Sequence, residues 1–128
     1  MTCLHILFFV ASLCGAPRGF VRESLALTAA NIADGFATAR DSHDGIFEAP
    51  FPVGSREFLG RYPSGERYAL VMGTEQVITE IVSYKLERSR VRALRFTGHA
   101  MMRGSTAVHF GGFVWDTHLQ VEIRDKEK

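Results

Sequence analysis

Four histidines stand beyond the opening segment of this chain: His43, His99, His109 and His118. Imidazole is a frequent metal ligand and takes or gives up a proton near neutral pH. A zinc centre needs three or four converging donors. No two of these histidines are two apart, as a strand would need, or four apart, as a helix would need. The spacing asks for no metal, and neither a metal nor another cofactor is expected. Lys85, Arg88, Arg90, Arg92 and Arg95 form a basic run that could grip an anion or a phosphate backbone. Single-strand binders interleave such a run with stacking aromatics. Here none is interleaved, Glu80 and Glu87 dilute the charge, and the whole chain carries a net charge of only +1. A solvated face is expected, with no nucleic-acid partner. The better functional lead is an apolar set: Phe47, Phe51, Tyr68, Met72, Met101, Phe113 and Trp115. Methionines give an adaptable wall and aromatics give area, which suits a small apolar ligand.

These side chains must be positioned by local structure. Val21, Leu25, Ala29, Ile32 and Phe36 recur at spacings of three and four, predicting an amphipathic helix over about Phe20 to Arg40. Gly35 is a mild flaw within it. Asp41 to Gly45 reads as a turn and Ile46 to Ala49 as a short strand ended by Pro50 and Pro52. Ser64 can cap a second helix carrying Tyr68, Val71 and Met72, closing at Gly73-Thr74 or running on towards Ile78. Ile81 to Thr97 reads as extended, Gly98-His99 as a turn, and Arg103 to Ile123 as a long strand. Within that strand Phe113, Trp115, Thr117, Leu119, Val121 and Ile123 alternate with polar residues. Val108 and Phe110 fall in the opposite phase, and a one-residue bulge at Gly111-Gly112 would return both halves to one face. In that reading His109 and His118 point outward. The expected class is α+β: a curved antiparallel sheet with N-terminal helices, forming a cone.

At 128 residues, with 46% hydrophobic and 23% charged residues, the chain has the size and composition of one globular domain. Met1 to Ala16 contains no Asp, Glu, Lys or Arg and holds the apolar run Leu4 to Ala11. It resembles a secretory signal peptide, although no basic residue precedes the run and Pro17 follows the best cleavage point. The alternatives are a buried strand or helix of the domain, or a lipid anchor at Cys14. Residues 1–16 are therefore read as a signal segment and 17–128 as the domain. The expected location is secreted or periplasmic, and otherwise cytoplasmic. The apolar run is shorter than the roughly 20 residues needed to span a bilayer, so no stable membrane insertion is expected. Cys3 and Cys14 both lie in this segment, so the remainder has neither a disulfide nor a thiol nucleophile.

The segment Asp44-Gly45-Ile46-Phe47-Glu48-Ala49-Pro50-Phe51-Pro52, with Phe58-Leu59-Gly60-Arg61 before a helix, resembles the nuclear transport factor 2-like superfamily. It is most similar to the SnoaL-like polyketide-cyclase and ketosteroid-isomerase branches. Arg90 to Gly104, with Ala100-Met101-Met102, is similar to that family's paired strands. The resemblance implies an apolar cone into which acid–base residues project, their pKa values tuned by dry walls. The candidates for that role are His99, Asp44 and Tyr62, with Glu48, Tyr68 and Asp116 behind them. Members usually have a further strand where this chain stops, and the resulting open edge leads to the expectation of a homodimer. Three functions follow as expectations. The first is binding of a small apolar molecule. The second is cyclase or isomerase chemistry, with proton abstraction next to a carbonyl. The third is a secreted β-rich interaction protein.

Overall fold

In the computed structural model the described residues are 16–45, 58–60 and 63–126, with side chains described as far as residue 118. They form three helices: α1 (Arg18–His43), α2 (Gly65–Glu87) and α3 (Arg92–Lys126). Pro17 precedes α1 and accepts the Val21 N–H at 3.1 Å. The helix ends at Asp44, where Gly45 takes φ +73°. Ser64 caps α2 as its sequence suggests, its hydroxyl accepting the Arg67 N–H at 3.2 Å. The turn into α3 is held by Ser89, whose hydroxyl accepts the Val91 N–H at 3.1 Å. Arg95 adds to it by donating to the Ser89 and Arg90 carbonyls.

Helix α2 runs antiparallel to the other two, pairing Glu80 with Ser24 and Tyr68 with Asp34 on α1, and Glu87 with His99 and Tyr68 with His109 on α3. Helix α3 packs most extensively along α1. The buried positions of α1 include Phe20, Ser24, Leu27, Asn31, Asp34, Thr38 and Asp41. Their spacing alternates between four and three, the period of a coiled-coil seam. On α3 the seam is Gly98, Met102, Ser105, His109, Gly112 and Asp116, each buried or half-buried. Among the described residues, the buried large apolar side chains gather in two patches. One is Phe20, Leu27 and Met102, with Tyr84 edge-on to Phe20 at 5.3 Å between ring centroids. The other is Leu59, Tyr68 and Met72.

This architecture corrects the α+β expectation. Among the described residues there is no strand and no sheet, so neither the cone nor the likeness to nuclear transport factor 2-like and SnoaL-like proteins holds. The physical reason lies in two signals. Gly98 reads as a turn and Gly111-Gly112 as a bulge, but all three glycines sit inside α3. Among the described residues, the glycines with positive φ are Gly45 and Gly60. The alternation after Phe113 is equally open to a helical reading, with Phe110, Phe113, Val114 and Thr117 at spacings of three and four. Phe110 and Phe113 are neighbours at 6.4 Å between ring centroids. Phe110 and Trp115, expected on one face of a sheet, are five residues apart on a helix and point about 140° away from each other. The segment Ile81 to Thr97, read as extended, is the end of α2, a short loop and the start of α3.

Candidate functional site

The end of the bundle where α1 starts, α2 ends and α3 starts brings together Glu23, Glu87, His99 and Arg103. Antiparallel packing places the last residue of α2 beside the second turn of α3. Gly98 allows the approach, since a Cβ there would lie 2.9 Å from both the Ser83 carbonyl oxygen and Glu87 Cγ. His99 Nδ1 is 3.0 Å from Glu23 Oε2 and 3.4 Å from Glu87 Oε1. Arg103 Nε donates to the other oxygen of Glu23 at 2.8 Å. Exposure is graded across the cluster, with side-chain values of 6% at Glu87, 15% at Glu23, 40% at His99 and 74% at Arg103. Burial pushes the Glu87 carboxyl above the ordinary carboxylate range. His99 pulls it down, the neighbouring Glu23 carboxylate pushes it up again, and Arg103 pulls it down.

A second polar constellation lies deeper. Asp34 Oδ2 accepts the Tyr68 hydroxyl at 2.6 Å and the His109 Nδ1–H at 2.8 Å. All three residues are buried. Gly35 is no flaw, because a Cβ there would strike the Tyr68 ring at 2.8 Å, so glycine makes room for that ring. An aspartate orienting an imidazole is a familiar acid–base arrangement. Sealed in the bundle, this one serves to join α1, α2 and α3. Next to it, Asn31 donates to the Met72 carbonyl at 3.3 Å and to Gln76 at 3.0 Å. Ser24 donates to Glu80 at 2.7 Å, and Thr38 to Asp116 at 3.4 Å.

The expected site residues are dispersed. His99 joins the charged cluster, whereas Asp44 pairs with exposed His43 at the other end of α1. Tyr62, Phe47, Phe51 and Glu48 lie outside the described residues, as do residues 1–15 of the segment expected to be a signal. Tyr68 and Met72 pack together in a core patch. Met101 and Phe113 are half-buried about three turns apart on α3, and Trp115 is 64% exposed. His109 is buried, correcting its outward placement. The basic run falls around the α2–α3 turn, where Arg88 bonds and stacks on Tyr84 while Arg95 holds the loop. Sequence reasoning missed Glu23 and treated Glu87 as a diluting charge. Their partner His99 is distant in sequence from Glu23, so no local spacing could mark the set.

The apolar periodicity of α1 has a separate destination. Leu25, Ile32 and Phe36 are 51%, 46% and 75% exposed, and Ala29 lies between them on the same outward stripe. No helix of the described residues is long and apolar enough to cross a membrane. Comparison with family profiles, with curated proteins and with solved structures finds no match to this chain.

Proposed function

We propose that this protein is a helical association module that pairs with a second copy through the outward stripe of α1. The observation that carries this reading is the distribution of polarity on α1. Its core-facing side holds five polar residues, Ser24, Asn31, Asp34, Thr38 and Asp41, among the apolar Phe20, Leu27, Ala30 and Ala37, while Leu25, Ala29, Ile32 and Phe36 form an apolar stripe that faces outward. Among the described residues, fifteen large apolar side chains are exposed and eight hydrophobic residues are buried. A row of exposed apolar side chains along one helix face, as at Leu25, Ala29, Ile32 and Phe36, suits a contact site. A two-fold pair would use the same stripe on both copies. Antiparallel pairing of α1 with its copy is favoured, because a parallel pair would set Arg18 and Arg22 against the same residues of the partner.

Sedimentation velocity on the full chain at micromolar concentration tests this. The wild type is expected to run as a dimer, and the double variant Ile32→Glu, Phe36→Glu as a monomer with unchanged helical circular dichroism. A monomeric wild type, or a variant that remains dimeric, overturns the reading. Exposed Trp115 on α3 is a control, since Trp115→Ala should leave the dimer intact.

A further inference from the structure

We propose that Glu23, Glu87 and His99 form a binding site for a divalent first-row transition-metal ion of the Mn2+ or Zn2+ kind. One donor comes from each helix: Glu23 Oε2 from α1, Glu87 Oε1 from α2 and His99 Nδ1 from α3. The three atoms all lie within 4.8 Å of one another. An ion about 2.1 Å from each ligand holds neighbouring donors roughly 3.0–3.4 Å apart. The two separations centred on Nδ1 are 3.0 and 3.4 Å.

A proton-linked cluster accounts for this arrangement less well. His99 Nδ1 carries at most one proton, and at 3.0 Å that proton serves Glu23. Glu87 Oε1 is then left without a hydrogen-bond partner on a side chain only 6% exposed. A buried carboxylate oxygen without a donor is costly, and a cation shared by both carboxylates removes that cost. One turn earlier on α2, the Ser83 hydroxyl is also buried without a partner. Arg103 holds the second oxygen of Glu23, which orients the first towards the other two donors.

The donor set selects the ion class. Two carboxylates and one imidazole suit Mn2+, Fe2+ or Zn2+ better than Ca2+ or Mg2+, which take oxygen ligands, or Cu+, which favours sulfur. With three protein ligands, further coordination positions remain for solvent on the half-exposed His99 side. The ion would clasp the three helix ends together.

Titrating Mn2+ alone into the full chain, and following loss of the free-ion electron paramagnetic resonance signal, tests the site. One ion per chain and a higher melting temperature are expected. Glu87→Gln and His99→Gln should each weaken binding at least tenfold and abolish the thermal shift, while His43→Gln should change neither. Circular dichroism of each variant checks that the helices persist. A second measurement needs no variant: bound Mn2+ should broaden the His99 imidazole resonances in the wild type and spare those of His43. Binding absent below millimolar Mn2+, equal binding by Glu87→Gln, or broadening that spares His99 overturns the proposal.

Discussion

Glu87 illustrates how a single residue can be unfavourable for the bundle and useful to it. Its carboxylate closes α2 in a buried position, beside Glu23, with no hydrogen bond to Oε1. Burial is the leading cause of its raised pKa, which starts from an ordinary value of 4.5. In acid below that value the group is protonated both folded and unfolded, and it imposes no penalty. As pH rises through the ordinary value towards the raised folded one, the unfolded chain gives up its proton first and stability falls. Glu87→Gln should therefore melt higher than the wild type at neutral pH in the presence of a chelator, and the gap should close in acid. Thermal melts across that pH range check this. A gap that widens in acid would mean that His99 and Arg103 outweigh burial. At Asp34 two donors, the Tyr68 hydroxyl and the His109 ring N–H, meet one oxygen of the buried carboxylate and link three helices through it.

At the level of the helices, close approach decides which glycines matter. Gly98 lies against the α2 backbone, where an added methyl would sit 2.9 Å from the Ser83 carbonyl oxygen. Backbone cannot move aside cheaply, so Gly98→Ala should destabilise the fold by about 1–3 kcal/mol despite the better helix propensity of alanine. Gly104 lies in the same helix with nothing within 4 Å of the added methyl. Gly104→Ala should therefore stabilise by roughly 0.5–1 kcal/mol. Urea titrations of the two variants check both signs. The same contrast explains the sheet expectation for residues 81–123. A glycine looks identical in sequence whether it breaks a helix, bends a strand or lets two helices touch. Gly98 looks like a turn in the sequence, whereas in the bundle it is the point where α3 touches α2.

For the whole molecule, the distribution of polarity ties stability to association. Among the described residues, the core holds two small apolar patches joined by a hydrogen-bonded polar seam, and fifteen large apolar side chains lie outside it. Polar pairs contribute less than apolar burial of similar size, but they fix register, as a buried asparagine does in coiled coils. If a second copy covers the α1 stripe, folding and pairing are linked by mass action. The melting temperature should then rise with protein concentration, and the Ile32→Glu, Phe36→Glu variant should lose that dependence. Calorimetry over a hundredfold concentration range checks this, and a concentration-independent wild type would argue against coupled pairing.

The sequence by itself determined that α1 and α2 are helices and nearly where they begin. Spacings of three and four from Val21 to Phe36 and the Ser64 cap are local signals, and local hydrogen bonding enforces them. It did not determine which face of α1 is buried. Apolar periodicity marks a stripe that avoids water, and that stripe can be covered by the chain's own helices or by something else. Only the tertiary structure decided in favour of the polar seam, because Asn31, Asp34 and Ser24 find partners on α2 and α3 that are 34 to 75 residues distant. The charged cluster has the same character. His99 was visible as a residue capable of chemistry, but Glu23 and Glu87 became its neighbours only when three helix ends met. Donors that converge from separate elements leave no spacing in the sequence, since their proximity is a property of the packing.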